Sequence, residues 1–517
     1  MITKNIVLQN RYYDSVVLMN AAAVVKKKTG AEQVSLMMGT DANKQLLKTM
    51  SMLTSDGEAS GAGDLIVSVM IDSPPDEKLL LSVLEEALTP KIGADTDEYN
   101  PRSIDGAIGM LPGANLAVVS IPGEYAGYEV EKLLDLGIHV LLFSDNVPLE
   151  VEVELKKKGQ EKGLLVMGPD CGTAIISGAA LGFANAVRRG SIGIVAAAGT
   201  GIQEVSTLIH KMGGGISHAI GTGGRDLWRE VGGITMKMGM SVLSQDPETE
   251  VLVLISKPPH PEVEKEIYAL AATIKKPVII NFLGGDGATV ASRNFIFAHT
   301  LEEAAIEAVK ATGASPQLRL PGDPVSLARK EADRLSGSQK YLRGLFSGGT
   351  LANESRLILE KQGVRILSNV TKVPQDKLEN PFISVKNSIV DMGDDVFTKG
   401  APHPMIDSTK RIARILQEAK DPETAVILLD LVLGYGAHPD PAPELARTIE
   451  KARKTAENTG RRLIFVSSIC GSPIDPQNAD AQKEVFEKAG VIVFPSNASA
   501  TRFVLEVLRA VEANNRQ

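Results

Sequence analysis

The residues best suited to chemistry gather in one stretch, 391-DMGDDVFTKGAPHPMIDSTKR-411. It holds Asp391, Asp394, Asp395, Lys399, His403, Asp407 and Arg411. Two glycines and two prolines deny it a helix until about Ser408. A long polar loop inside a compact domain is usually functional. Asp394 and Asp395 suit metal binding or proton acceptance, and His403 suits general acid–base work. A solvated surface loop is the alternative. No HExxH or EF-hand pattern supports a dedicated metal cage.

Two glycine turns offer a different chemistry. In 196-AAAGTGIQEV-205 a buried strand ends, Gly199 and Gly201 supply a turn, and a helix follows. Unpaired N–H groups and the positive end of the helix dipole then converge on one point, which favours an anion. Thr200 adds a hydroxyl. The P-loop pattern is absent. A second turn of this kind stands at 347-SGGTLANES-355, with Gly348, Gly349 and Thr350. Two helix N-termini could serve one anion; each could also be an ordinary α/β turn.

Four further segments follow buried strands. In 167-MGPDCGTAII-176, Asp170, Cys171, Gly172 and Thr173 sit where a parallel sheet favours ligands, with a buried structural thiol the simpler role for Cys171. In 221-GTGGRDLWREVGG-233, Gly223, Gly224, Arg225 and Asp226 suit a phosphate or carboxylate, or merely an ion pair in a loop. Lys257, in 256-SKPPH-260, meets an anion or is solvated. Asp430, His438 and Asp440 cluster around 434-GYGAHPDPAP-443, with 470-CGSPIDPQ-477 on the same expected edge.

These loops need a frame, and the rest of the sequence supplies it. Short apolar runs such as 116-LAVVSI-121, 192-IGIVAAA-198, 251-VLVLIS-256 and 425-AVILLDLVL-433 alternate with amphipathic helices, the pattern of parallel βαβ units. The expected fold is α/β throughout. Four blocks are expected: 1–105, a small N-terminal αβ domain; 106–187, with three strands; 188–312; and 340–517, after a linker and short helix at 313–339. The third and fourth blocks both open with a strand, a Gly-Thr turn and a helix, as two copies of one fold would.

The 55 Lys and Arg against 63 Asp and Glu give a net charge of −8, which argues against a general nucleic-acid binder. Two distant cysteines exclude a disulfide scaffold and a cysteine zinc site. No secretory signal and no membrane-length apolar run is visible, so a cytoplasmic protein is expected. A homodimer is the default assembly.

At these motifs the chain resembles the succinyl-CoA synthetase superfamily. The segment 164-LLVMGPDCGTAII-176 is similar to the turn that ends a Rossmann-like CoA-binding domain. Residues 190–226 with 246–256 resemble the α-subunit's ligase domain, and 340–517 the flavodoxin-type C-terminal domain of the β-subunit. The closer resemblance is to the FdrA family, carried by 14-DSVVLMN-20, 37-MMGTDANKQLL-47, 166-VMGPDCGT-173, 199-GTGIQE-204, 222-TGGRDL-227, 348-GGTLA-352, 391-DMGDD-395 and 402-PHPMID-407.

Two departures from the synthetase pattern bear on activity. The Gly-His-Ala-Gly motif of the phosphorylated histidine is missing from 284-GGDGATVASRNFIFAHTLEEA-304, and His299 stands too late to replace it. The CoA-binding glycine turn near the N-terminus is missing too. Glu204 stands where the superfamily has a glutamate that orients the histidine. The FdrA resemblance implies a subunit of an oxamate carbamoyltransferase, which converts oxalurate and phosphate to oxamate and carbamoyl phosphate with companion subunits. Phosphate would then sit at Gly199–Gly201 and Gly348–Thr350, with Arg225 assisting and His403 with Asp394 or Asp395 moving protons. Asp170, Lys257 and Asp407 would line the substrate. An acyl-CoA synthetase, binding CoA, and a non-catalytic scaffold subunit are the alternatives. No cofactor is expected with certainty.

Overall fold

The computed structural model describes residues 2–11, 13, 15–72, 77–88, 101–285, 295–398 and 401–515. Lys399 and most of the loop expected to replace the histidine motif, 286–294, lie outside them.

The first domain runs β1 (Ile2–Leu8), α1 (Ser15–Thr29), β2 (Gln33–Met38), α2 (Asp41–Thr49), α3 (Ser55–Glu58), β3 (Leu65–Ile71) and α4 (Glu77–Leu88). Its sheet has the order β1-β3-β2, and β3 is antiparallel to both neighbours. The parallel expectation fails here, because β3 returns between the two strands that α1 connects.

The second domain contains α5 (Ile104–Met110), β4 (Leu116–Val119), α6 (Gly123–Asp135), β5 (His139–Leu142), α7 (Leu149–Lys162) and β6 (Val166–Met167). Its three strands are parallel.

The third domain opens with a hairpin, β7 (Thr173–Ile176) and β8 (Ala179–Gly182). It continues with β9 (Arg189–Ala196), α8 (Gly199–Lys211), β10 (Ile216–Gly221), α9 (Ile234–Gln245), β11 (Val251–Ser256), α10 (Pro261–Thr273), β12 (Val278–Phe282), β13 (Phe295–Phe297) and α11 (Leu301–Ala311). The hairpin, which falls in the 106–187 block of the sequence, joins this sheet through antiparallel pairing of β7 with β10. A linker helix, α12 (Pro324–Ala332), follows.

The fourth domain comprises β14 (Tyr341–Phe346), α13 (Gly349–Lys361), β15 (Leu367–Ser368), β16 (Ser388–Asp391), α14 (Asp395–Thr398), α15 (Thr409–Glu418), β17 (Thr424–Val432), α16 (Ala442–Glu457), β18 (Ile464–Cys470), α17 (Ala479–Lys488), β19 (Ile492–Phe494) and α18 (Asn497–Asn514). The short α14 interrupts the stretch expected to stay non-helical. Asp394 caps it by accepting the Val396 N–H, and buried Phe397 anchors it.

The parallel strands order as β13-β12-β11-β9-β10 in the third domain and β15-β16-β14-β17-β18-β19 in the fourth. Counted from the Gly-Thr strand, with β15 as an extra edge, both read 2-1-3-4-5, the flavodoxin-like order. The central strands are apolar on both faces; all nine residues of β17 are buried. Between the two sheets, α8, α11, α12, α13 and α18 share one hydrophobic core that includes Ile194, Ile202, Leu301, Ala328, Leu351, Val426 and Phe503. The two sheets are thus one packed unit. Among the described residues no helix is long and apolar enough to cross a membrane.

Candidate functional site

In a doubly wound sheet, ligands bind beyond the carboxyl ends of the strands where the strand order reverses. In the third domain that point lies past β9 and β11, at Ala198–Gly199 and Lys257. In the fourth it lies past β14 and β17, at Ser347–Gly348. The shared core turns the two points toward each other. A Cβ added at Gly348 would lie 2.9 Å from Thr200 Cγ2, and one at Gly201 would lie 3.6 Å from Thr350 Cγ2. Glycine at 348 is therefore what lets the helix ends approach.

The first turns of α8 and α13 are uncapped. Neither Ala198 nor Gly348, at their N-cap positions, makes a side-chain cap. Thr40, Thr300, Asp323 and Ser496 do cap α2, α11, α12 and α18. A helix leaves its leading N–H groups without internal acceptors. Two sets of donors and two dipole ends thus meet, with the Thr200 and Thr350 side chains between them.

The α13 turn is held from below by Asp430. This fully buried carboxylate accepts the N–H groups of Ser347 and Gly348, both at 2.8 Å, and the Ser347 hydroxyl. Buried Arg411 pairs with it at 3.1 Å. Asp391 lies above. Its Oδ1 accepts the Gly393 N–H at 2.8 Å, and a Cβ at Gly349 would collide with its Oδ2. Burial raises the Asp391 carboxyl to about 7, opposed by the charge of Lys257.

His403 reaches the same turn: its Nε2 is 2.6 Å from where a Gly393 Cβ would stand. Its Nδ1 accepts the Met405 N–H at 3.2 Å, so in the neutral ring Nε2 carries the proton. Burial, then the charge of Lys410, lowers this imidazole to about 4. In this geometry the neutral ring presents its Nε2–H to the turn as a hydrogen-bond donor.

Lys257 is exposed at the end of β11 and has no ion pair among the described residues. Its charge acts on both Asp391 and Asp170. Asp170 stands at the mouth, where the surrounding protein and the like charges of Asp145 and Asp395 raise it to about 6. Asp395 is exposed beside it. Asp394 spends one oxygen on its cap.

Several expected ligand residues serve the scaffold instead. Asp226 is fully buried, pairs with Lys156 at 2.6 Å and accepts the Thr235 and Met236 N–H groups, so it presents no face to a ligand. Arg225 is tied to Glu152 at 2.8 Å and to the Val147 carbonyl. Gly223, at φ +85°, packs on the Pro169 carbonyl, and Gly224 lies near Asp170. Gly172 accepts the Phe183 N–H. Asp407, just before α15, accepts the Thr409 N–H at 2.7 Å. Glu204 is buried against α18, accepting the Asn497 N–H at 2.9 Å. Near the Asp440 N–H and Glu444, His438 is likewise engaged.

Cys171 is 3% exposed, and burial pushes its thiol up to about 12. It should resist iodoacetamide in the native protein at neutral pH and react only on unfolding, as peptide mass mapping would read. Native-state alkylation would refute its core assignment.

Asp391 and Asp430 lie against the α13 turn, whereas Asp394 caps α14 and Asp395 is exposed. Glu354 is not among the residues expected above, and its signal in the sequence is a repeated spacing. Gly199-Thr200-x-x-x-Glu204 recurs as Gly349-Thr350-x-x-x-Glu354, and each glutamate is buried on its helix. Glu354 contacts Leu301 N–H and Asn497, and burial raises it to about 8. It also lines a separate cleft of about 1070 Å³, with His299 at the rim.

Residues 345–507 match the CoA-ligase family model, 187–284 the CoA binding domain, and 1–101 the AllF, heavy metal-associated domain. The protein YahF of Escherichia coli is 42% identical over 501 residues, spanning 96% of this chain and 97% of its own. The chain belongs to the YahF family. By the domain matches it is a succinyl-CoA synthetase-like protein with an AllF-like N-terminal domain. The α-subunit of the ADP-forming succinate–CoA ligase of Aquifex aeolicus is 30% identical over 179 residues, which cover 33% of this chain and 57% of that subunit. Malate–CoA ligase α-subunit of Methylorubrum extorquens is 25% identical over 34% of this chain and 60% of its own. Among solved structures, the ATP citrate lyase of Methanothrix soehngenii aligns over 80% of this chain and 85% of its own, with 11% identity and a TM-score of 0.35.

Proposed function

We propose that the junction of α8 and α13 binds phosphate and supports a phosphorolytic carbamoyl transfer, with this chain as the large subunit of an oxamate carbamoyltransferase-type enzyme. The observation that carries the reading is the apposition of two uncapped helix N-termini. A phosphate oxygen attacks the carbamoyl carbon, the new C–O bond forms, and the C–N bond to the leaving amide breaks. Asp391, near 7, takes the proton that phosphate gives up and returns it to the leaving nitrogen. The Nε2–H of His403 and the helix-end N–H groups stabilise negative charge on the carbonyl oxygen. Lys257 balances the carboxylates around the mouth. The test is calorimetric titration of the full chain with phosphate, carbamoyl phosphate and CoA. Phosphate-type binding without a CoA signal supports the reading; micromolar CoA binding without phosphate binding overturns it.

The second reading is an acyl-CoA ligase. Its support is the match of 187–284 and 345–507 to the CoA binding and CoA-ligase models. It predicts nucleotide-dependent acyl-CoA formation.

Sulfate isolates the role of Asp391, because its charge is constant across the neutral range. Above about 7 the ionised carboxylate opposes an anion at Gly349; below it the neutral acid does not. Sulfate affinity should therefore fall as pH rises through that value, and Asp391→Asn should remove that step while leaving the lower one of Asp170, near 6. A flat profile in the unmodified protein would sink this role.

A further inference from the structure

The N-terminal domain matches a model described as heavy metal-associated, but its donor set does not suit such an ion. Residues 1–101 contain no cysteine and no histidine, the side chains that borderline and soft metals take. Among the described residues, the three-donor cluster His218, Asp246 and Glu248 lies in the third domain. The soft donors left in the N-terminal domain are methionine thioethers. Met37, Met50 and Met52 are 2%, 8% and 0% exposed, packed with Leu47 and Ile66. Ala413 of α15 completes that cluster.

The sheet explains the contact. Along β2 and β3, Leu36, Met38, Leu65, Val67 and Val69 face α1 and α4. Met37 and Ile66 point to the opposite face. A three-stranded sheet must cover that second apolar face too. Here α2 and, from the fourth domain, α15 cover it.

The helix so held is the one that secures the functional junction. Two residues before Ala413, Arg411 reaches the carbonyls of Leu345 and Asp430 and pairs with the Asp430 carboxylate. Asp430 in turn fixes Ser347 and Gly348 at the start of α13. We propose that the N-terminal domain is a brace that sets α15, and through Arg411 and Asp430 the α13 turn, rather than a metal carrier. The inference stands independently of what the junction binds.

The test uses the full chain labelled at its methionine methyl groups, with hydrogen exchange read by mass spectrometry on variants. One equivalent of Cu(I) or Zn(II) is expected to leave the Met37, Met50 and Met52 methyl signals unmoved. Met50→Lys, and from the other side Ala413→Lys, are expected to speed exchange at least about tenfold in α15 and in residues 345–351. Amides of α17 should keep their wild-type rates, which shows that the fourth domain remains folded, and Met50→Leu should behave as wild type. Stoichiometric metal shifts of those methyls would overturn the proposal. So would unchanged exchange at 345–351 in both lysine variants. Because no phosphate is present, the outcome is separable from the phosphate titration: the brace can hold where the transferase reading fails, and the reverse.

Discussion

Replacing Asp430 by alanine should lower the unfolding free energy of the fourth domain by about 3–5 kcal/mol, the cost typical of breaking a buried ion pair from one side. The carboxylate is fully buried and accepts from Ser347 and Gly348. Its removal leaves two N–H groups without an acceptor and the Arg411 guanidinium without a counter-charge in a low-dielectric interior. Asp430→Asn should cost less, because one acceptor oxygen stays. Arg411→Met on the alanine background should recover some of the loss, since the stranded charge is then gone. Urea unfolding followed by near-ultraviolet circular dichroism would measure this. A midpoint within error of wild type would refute the anchoring role.

Gly349→Ala should weaken phosphate or sulfate binding at least about tenfold, or roughly 1.4 kcal/mol. The new methyl group would collide with Asp391 Oδ2 and push that carboxylate across the open end of α13. Gly349 is the first residue of the helix, where alanine is by itself the better helix former by up to about 1 kcal/mol. That preference offsets part of the cost of the collision, so the variant is expected to stay folded while losing the anion. Parallel loss of both would point to a folding defect and remove the argument.

The paired turns were legible because their determinants are local: a buried strand, two small residues and a helix signal, twice. The parallel sheets were legible for the same reason. Strand direction in the first domain was not, since apolar periodicity does not say which neighbour a strand pairs with. Asp226 looked like a ligand beside Arg225, because its partner Lys156 lies far upstream and only folding brings them together. Asp430 was visible as a lone acid within 425-AVILLDLVL-433, yet its role depends on Ser347 and Arg411, from separate elements. His403 was found by its loop. Its protonation state follows from burial and from a bond to Met405, neither of which a sequence displays.

The core shared by the third and fourth domains has a consequence for assembly. The two helix ends that form the junction belong to separate sheets, and a continuous chain through α12 joins them. Their encounter is intramolecular, at an effective concentration set by the tether rather than by the amount of protein. Dilution that would dissociate a pair of subunits leaves this junction complete.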